Sequence, residues 1–283
     1  EVLLITGSAS LETAVDALRL GVTDYLTKPV DFARVKMALA NVTRALELRG
    51  EISSLRGELR KLGRFGPLIG ASPPMQKLYD MIGRVAVTDA SILISGETGT
   101  GKELVAETIH NLSRRSKKPF LPVNCGALSA HLIETELFGH ERGSFTGAER
   151  MHKGYFERAH GGTLFLDEIT ETVDIQVRLL RALETSTVTR VGGTEPIKVD
   201  VRIVAATSRH VQDAVAAGKL REDLYYRLNV FPIELPPLRE RGDDVELLAE
   251  NFLSALNLAE GTTKRFTRAC LDRLHRHNWP GNV

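Results

Sequence analysis

The chain has 283 residues, 42% of them hydrophobic and 26% charged, with a formal net charge of +1. Such a composition belongs to soluble globular proteins long enough for about two domains, and it supplies no strong positive field for steering onto nucleic acid. The two cysteines, Cys125 and Cys270, match no metal spacing, the eight histidines form no ligand pattern, and no apolar run approaches the roughly 18 residues that span a bilayer. A cytoplasmic protein with reduced thiols and no membrane contact is the expectation. The sequence opens inside an apolar strand and stops after Trp279-Pro280-Gly281-Asn282-Val283, so both ends look cut.

In chain order, residues 1–31 read as a strand (Val2 to Thr6), an amphipathic helix (Leu11 to Leu20) ended by Gly21, a second strand (Tyr25 to Thr27) and a Lys28-Pro29 turn. That alternation predicts part of a parallel α/β domain. From Asp31, an N-cap residue, to Leu62 the pattern is helical. Apolar positions fall at Val35, Leu39, Val42 and Leu46, then at Leu48, Ile52, Leu55, Leu59 and Leu62, with a phase slip near Arg49-Gly50. Such a stripe is covered either by a second copy of the chain or by folding back on its own chain. Gly63 to Pro74 reads as a linker. Short buried strands are expected at Ser91 to Ser95, Phe120 to Asn124, Thr163 to Leu166 and Val201 to Ala206, separated by helices. After Pro236-Pro237 only helices follow, over Val245 to Leu256 and Thr267 to His275, which suggests a small lid.

The chemistry concentrates at two of the strand ends. The first strand runs into Gly96-Glu97-Thr98-Gly99-Thr100-Gly101-Lys102-Glu103 and then a helix. Glycines let backbone N–H groups turn inward around phosphate oxygens, the helix presents its positive N-terminus, and Lys102 reaches the β and γ phosphates. Glu103 stands where the general phosphate-loop pattern has a Mg²⁺-binding Ser or Thr, so Mg²⁺ falls more to water and downstream acids. Those acids follow Gly161-Gly162-Thr163-Leu164-Phe165-Leu166. Asp167 is the candidate Mg²⁺ ligand, and Glu168, also near the metal, is the candidate base for the attacking water. Thr207 and Ser208, ending a further strand, either sense the γ-phosphate or simply begin a turn. Arg221 and Arg227 are candidate arginine fingers, while Arg221 also has Glu222 and Asp223 at hand for a surface ion pair. Between the two acidic and phosphate motifs lies Gly143-Ser144-Phe145-Thr146-Gly147-Ala148. Two glycines permit a mobile loop, in which Phe145 is either an exposed aromatic anchor for a protein partner or buried in an ordinary turn.

Together these motifs resemble the bacterial enhancer-binding activators of sigma-54 RNA polymerase, response regulators of the nitrogen-regulator type built on an AAA+ ATPase. The resemblance rests on GETGTGKE, Asn124-Cys125, Glu136-Leu137-Phe138-Gly139-His140-Glu141, GSFTGA, GGTLFLDE, LREDLYYRLNV, Phe231-Pro232-Ile233 with LPPLRER, and WPGNV. It implies an α/β AAA+ P-loop NTPase over 66–235 with a helical lid over 236–283. Before them it implies the last part of a flavodoxin-like receiver (1–31) and a helical linker (32–65). Thr6, Tyr25 and Lys28 would be the receiver's switch residues. ATP and Mg²⁺ are the implied cofactors, with Gly96 to Glu103, Ile69, Thr207 and Ser208 around the nucleotide. Asn124 would hold Glu168 inactive until the polymerase engages, and Arg221 and Arg227 would reach a neighbour's ATP in a hexamer or heptamer formed from inactive dimers. Residues 143–148 would contact sigma-54, with Ser144 standing where the family has Ala and Ser208 where it has Asn. The implied partners are sigma-54 RNA polymerase, a sensor histidine kinase, and enhancer DNA through a domain outside the chain. A nucleotide-switched binding module and a general AAA+ unfoldase are the competing readings.

Overall fold

The computed structural model describes residues 3–6, 24–27, 35, 36, 43, 57, 63–127, 129–171 and 173–283. The chain divides into two units, Glu1–Lys61 and Leu62–Val283. In the first, strands β1 (Leu3–Thr6) and β2 (Asp24–Thr27) pair in parallel from Leu3 opposite Asp24 to Thr6 opposite Thr27. A parallel pair needs a crossover connection, as the α/β reading expects. Thr6 and Tyr25 lie within these strands. Val35, Lys36, Thr43 and Gly57 are helical. The expected Leu11 to Leu20 helix, Lys28 and most of the linker stripe lie outside the described residues.

The second unit begins earlier than the Gly- and Pro-rich composition suggests. Within the expected linker, β3 (Arg64–Phe65) and β4 (Leu68–Ile69) form a small antiparallel hairpin. Phe65 and Leu68 are buried in the unit's own core, so the stretch is a packed lead-in rather than a tether. Helix α1 (Pro73–Ala86) starts with proline at its first turn, where the missing N–H costs nothing. It buries Met75, Leu78, Tyr79, Ile82 and Val85, the i, i+3, i+4 stripe of a helix lying on a sheet. Its last carbonyls, Val85 and Ala86, accept hydrogen bonds of 2.8 and 2.9 Å from the fully buried Arg202 guanidinium.

The chain then alternates through β5 (Ile92–Ser95), α2 (Lys102–Asn111), β6 (Phe120–Asn124), α3 (Ala130–Phe138), α4 (Tyr155–Arg158), β7 (Thr163–Asp167) and α5 (Gln176–Thr185). A second hairpin follows, β8 (Thr187–Val188) with β9 (Ile197–Lys198), and then β10 (Arg202–Thr207), α6 (Val211–Ala216), α7 (Glu222–Leu228) and β11 (Phe231–Glu234). The main sheet has five parallel strands in the order β11-β5-β10-β7-β6. Alternate residues of one strand face opposite sides. Leu164, Leu166, Ile203 and Ala205 therefore pack under α3, α5 and α7, while Ile92, Ile94, Phe165, Val204 and Ala206 pack under α1 and α2. Burial on both faces explains why these strands read as unbroken apolar runs. A lid of α8 (Asp244–Glu260) and α9 (Arg268–Arg276) completes the unit around Leu238, Val245, Leu248, Leu274 and Trp279.

Candidate functional site

Strands β5, β10 and β7 are neighbours and parallel, so their carboxyl ends open on one edge, where sheets of this kind bind ligands. Gly96 follows β5, Thr207 ends β10 and Asp167 ends β7. The loop after β5 turns through three glycines at positive φ, Gly96 (157°), Gly99 (78°) and Gly101 (98°), into α2. The first N–H groups of α2 have no partner within the helix and face the loop's mouth with the dipole's positive end. Lys102, 7% exposed, folds over the loop, donating to the carbonyls of Gly96 at 3.0 Å and Glu97 at 3.3 Å, with its Nζ 3.9 Å from Glu168 Oε1. Thr100 closes the turn by donating to Glu97 O at 2.7 Å. Glu103 points outward from the first turn of α2 and is exposed.

The two acids behave differently. Asp167 is half-buried, accepts from the Glu168 amide at 3.0 Å, and has its pKa pushed up by burial first and then by the neighbouring Glu168 charge, against that amide and Lys102. Glu168 sits at φ +50°, a left-handed conformation that costs a non-glycine residue of order 1 kcal/mol or more. The twist carries its carboxylate across to β10, where Oε2 accepts from the Ser208 amide at 3.1 Å and the Ser208 hydroxyl at 2.9 Å. Thr207 is fully buried and engaged with Thr170 at 3.3 Å and the Arg209 amide at 3.1 Å. Asn124 lies beside Asp167 in the register of β6 and β7, yet its Oδ1 accepts from the Gly126 amide at 2.9 Å. Ser208, rather than Asn124, is therefore what holds Glu168 in this conformation. Gly96, Glu97, Ser208 and Arg239 line one cleft of about 870 Å³.

The loop at 143–148 closes on itself, Gly143 N donating to Ala148 O at 2.8 Å and Ala148 N to Phe145 O at 3.0 Å. Gly143 (φ 79°) and Gly147 (φ 100°) bracket it, and Thr146 stands exposed at its tip. Phe145 is not the free anchor expected from its position. It is half-buried, edge-on to His140 with ring centroids 4.9 Å apart, and His140 in turn stacks on His152 at 5.5 Å. Ser144 packs against Gly192, where a Cβ would come within 2.5 Å of the serine's own. Below the loop, Arg190 bridges Glu157 at 2.7 Å and Glu141 at 2.8 Å, and Phe138 stacks on Phe156 at 5.5 Å. The loop thus stands on a rigid base rooted in the core.

Over residues 68–234 the sequence matches the sigma-54 interaction domain, and over 239–283 an AAA+ ATPase lid domain. The chain belongs to the sigma-54 interaction domain family. It is 47% identical over 285 residues to the transcriptional regulatory protein ZraR of Salmonella typhimurium, covering all of this chain and 63% of that protein. It is 46% identical over 283 residues to the DNA-binding transcriptional regulator NtrC of Azospirillum brasilense, covering 58% of its length. The crystal structure of NtrX from Brucella abortus in complex with ATP superposes with a TM-score of 0.71 at 36% identity, over 99% of this chain and 60% of that one. The chain spans about three fifths of these relatives.

Other positions of this sigma-54 interaction domain lie away from the loop and acids. Arg221 pairs with Asp223 at 2.7 Å, the surface ion pair open to it in the sequence, and Arg227 donates to Leu183 O at 3.0 Å. Both are exposed. Ile69 is half-buried against the lid's apolar cluster, at the junction of hairpin and lid. Four lid residues that the sequence reading passed over meet the body here. Asp244 accepts from the Ala71 and Ser72 amides, and Arg239, Arg241 and Asn282 all contact the phosphate loop. Only WPGNV and LPPLRER, quoted as motifs without roles, pointed toward three of them. Among the described residues no helix is long and apolar enough to cross a membrane.

Proposed function

We propose that the chain is the ATP-hydrolysing motor of a transcription activator that remodels sigma-54 RNA polymerase to open promoter DNA, under control of a phosphorylated receiver. The observation that carries this reading is the convergence of Lys102, Asp167 and Glu168 at one sheet edge, in a chain of the sigma-54 interaction family. ATP suits the glycine loop: its three positive-φ glycines let amides face inward, and Lys102 supplies the cation. Mg²⁺ suits Asp167, whose carboxyl is raised by burial and by Glu168 and would be relieved by a divalent cation. Asp167 and Glu168, partly through water, would hold the ion together with phosphate oxygens. Bound there, the ion would neutralise charge developing on the phosphates.

Glu168 orients and deprotonates the attacking water once its carboxylate leaves Ser208, since Oε2 is taken up by the Ser208 amide and hydroxyl until then. Arg221 and Arg227 act on a neighbouring subunit's ATP, so turnover requires a ring of hexameric or heptameric kind; their exposure, with the side chains paired to Asp223 and the Leu183 carbonyl, supports this. Residues 143–148 carry the stroke to sigma-54. Phe145 leaves His140 as the loop extends, and Thr146 leads the contact. Thr6, Tyr25 and Lys28 relay phosphorylation by a sensor histidine kinase through the linker helix. Enhancer DNA is bound elsewhere, and the protein works in the cytoplasm.

Steady-state ATP hydrolysis, measured across protein concentration, tests the reading. Wild type is expected to turn over with a steep concentration dependence, while Glu168→Gln loses about 10²-fold or more in kcat and still binds nucleotide. Equal turnover in Glu168→Gln would remove that residue as the base. Tight nucleotide binding with no turnover in the wild type would favour a static switch.

A further inference from the structure

The phosphate loop's backbone is tied down from the lid, and the ties end on its carbonyl oxygens. Asn282 Nδ2 donates to Thr98 O at 2.9 Å, the Val283 amide to Gly99 O at 3.1 Å, and Arg241 Nη2 to Thr100 O at 2.8 Å. Three successive peptide groups are thus fixed by their oxygens. Because a trans peptide points its C=O and N–H in opposite directions, holding these oxygens toward the lid turns the amides of Gly99 and Gly101 the other way, while the Thr100 amide between them donates to Glu97 O at 3.3 Å.

The lid contacts are themselves built in. Arg241 and Asn282 are buried at 4% and 5% exposure. Asn282 Oδ1 accepts from the Leu238 amide at 2.8 Å, and Arg241 Nε donates to Pro236 O at 2.9 Å, so each side chain is oriented by the lid before it reaches the loop. A fourth contact lies outside the backbone. Glu97 takes a paired hydrogen bond from Arg239 at 2.6 and 2.9 Å and a further one from Asn282 at 3.2 Å; Arg239 first and Asn282 second hold its carboxyl down at about 2. Gly99 bears the mark of the same contact, since a Cβ there would lie 2.1 Å from Gly281 O.

We propose that Asn282 and Arg241 are positioning residues for nucleotide binding: the lid clasps the phosphate loop by its carbonyls and thereby presets its amides for phosphate. The phosphate-binding role of the loop rests on the function proposed above; the clasp itself does not. Lid position and phosphate affinity are then coupled, and whatever pulls the lid away loosens the loop's grip.

Two variants test this in the 283-residue chain. Asn282→Ala removes every side-chain bond at that position. Asn282→Asp keeps an acceptor for the Leu238 amide and loses the donors to Thr98 and Glu97, so it preserves the lid's own bond. Two quantities are read: hydrogen exchange of the 97–101 amides without nucleotide, and affinity for a fluorescent ADP. In both variants exchange over 97–101 is expected to quicken at least about tenfold while α1 stays protected, and ADP is expected to bind about tenfold more weakly, the loss of roughly one hydrogen bond's net contribution. A purely structural role would lower the melting temperature and leave both readouts unchanged. Unchanged exchange and affinity in folded Asn282→Asp would overturn the clasp. Wild type that binds no ADP, with the exchange result intact, would instead overturn the nucleotide reading and leave the clasp standing.

Discussion

Replacing Asp244 by alanine should uncouple the lid from the ATPase body. Its carboxylate, 2% exposed, accepts from the Ala71 amide at 2.6 Å, the Ser72 amide at 3.0 Å and the Ser72 hydroxyl at 2.6 Å. Ser72 is the N-cap residue of α1; its side chain makes no cap to its own helix and its hydroxyl donates to Asp244. Hydrogen bonds to a charged acceptor contribute about 1.5–3 kcal/mol each, but the three share one carboxylate and do not add. Alanine would leave two amides and a hydroxyl without that acceptor, so a loss of about 3–5 kcal/mol is expected. For a unit of this size that is a fall of roughly 8–15 °C in Tm. Asp244→Asn keeps the shape and the acceptor for both amides, and should cost less than half as much. Urea unfolding followed by far-ultraviolet circular dichroism and by Trp279, the chain's one tryptophan and a member of the lid cluster, reads body and lid together. An alanine variant within 1 kcal/mol of wild type would refute the reasoning, as would an asparagine variant as unstable as alanine.

Asp167 gives a pH signature. Its folded pKa lies above the ordinary carboxylate value, so its contribution to stability is fully present below the unfolded pKa and is lost as pH rises through the raised one. Asp167→Asn should therefore be more stable than wild type at neutral pH and equal to it below about pH 3.9, as thermal melts without nucleotide would show; no gain at neutral pH would contradict the assigned burial cost. Ser208→Ala removes the 2.9 Å hydroxyl tie on Glu168 and leaves the amide tie. Basal ATP hydrolysis should rise several-fold, at most about tenfold, with KM for ATP unchanged. A fall in kcat instead would mean that Ser208 holds Glu168 in its working pose.

What the sequence revealed was local. The phosphate loop was legible because strand, glycines, lysine and helix are contiguous, and Asp167-Glu168 because it ends an apolar run. What it hid depends on distant pairing or on one-residue conformation. Strand β11 escaped notice since it is four residues long, lies at the sheet edge and contains Pro232, which an edge strand tolerates. Nothing in the composition of Gly63 to Pro74 shows that Phe65 and Leu68 pack into the core. The insertion of β10 between β5 and β7 brings Ser208 to Glu168, 40 residues away in sequence, and the left-handed turn at Glu168 completes the contact. Asn282 reaches Thr98 across 184 residues. The fold of Phe145 onto His140 likewise depends on a base braced by Arg190, which no spacing in the loop itself reveals.

The central claim is that ATP hydrolysis at Lys102, Asp167 and Glu168 is delivered to sigma-54 through the loop at 143–148. Open promoter complexes formed by sigma-54 RNA polymerase, scored beside ATP hydrolysis for wild type and Thr146→Ala, test it most directly. Thr146 is exposed at the loop tip and has no part in the phosphate site, so the account predicts hydrolysis retained and open complexes lost. Open complexes formed equally well by Thr146→Ala, or ATP turnover by the wild type that never opens a sigma-54 promoter, would contradict it.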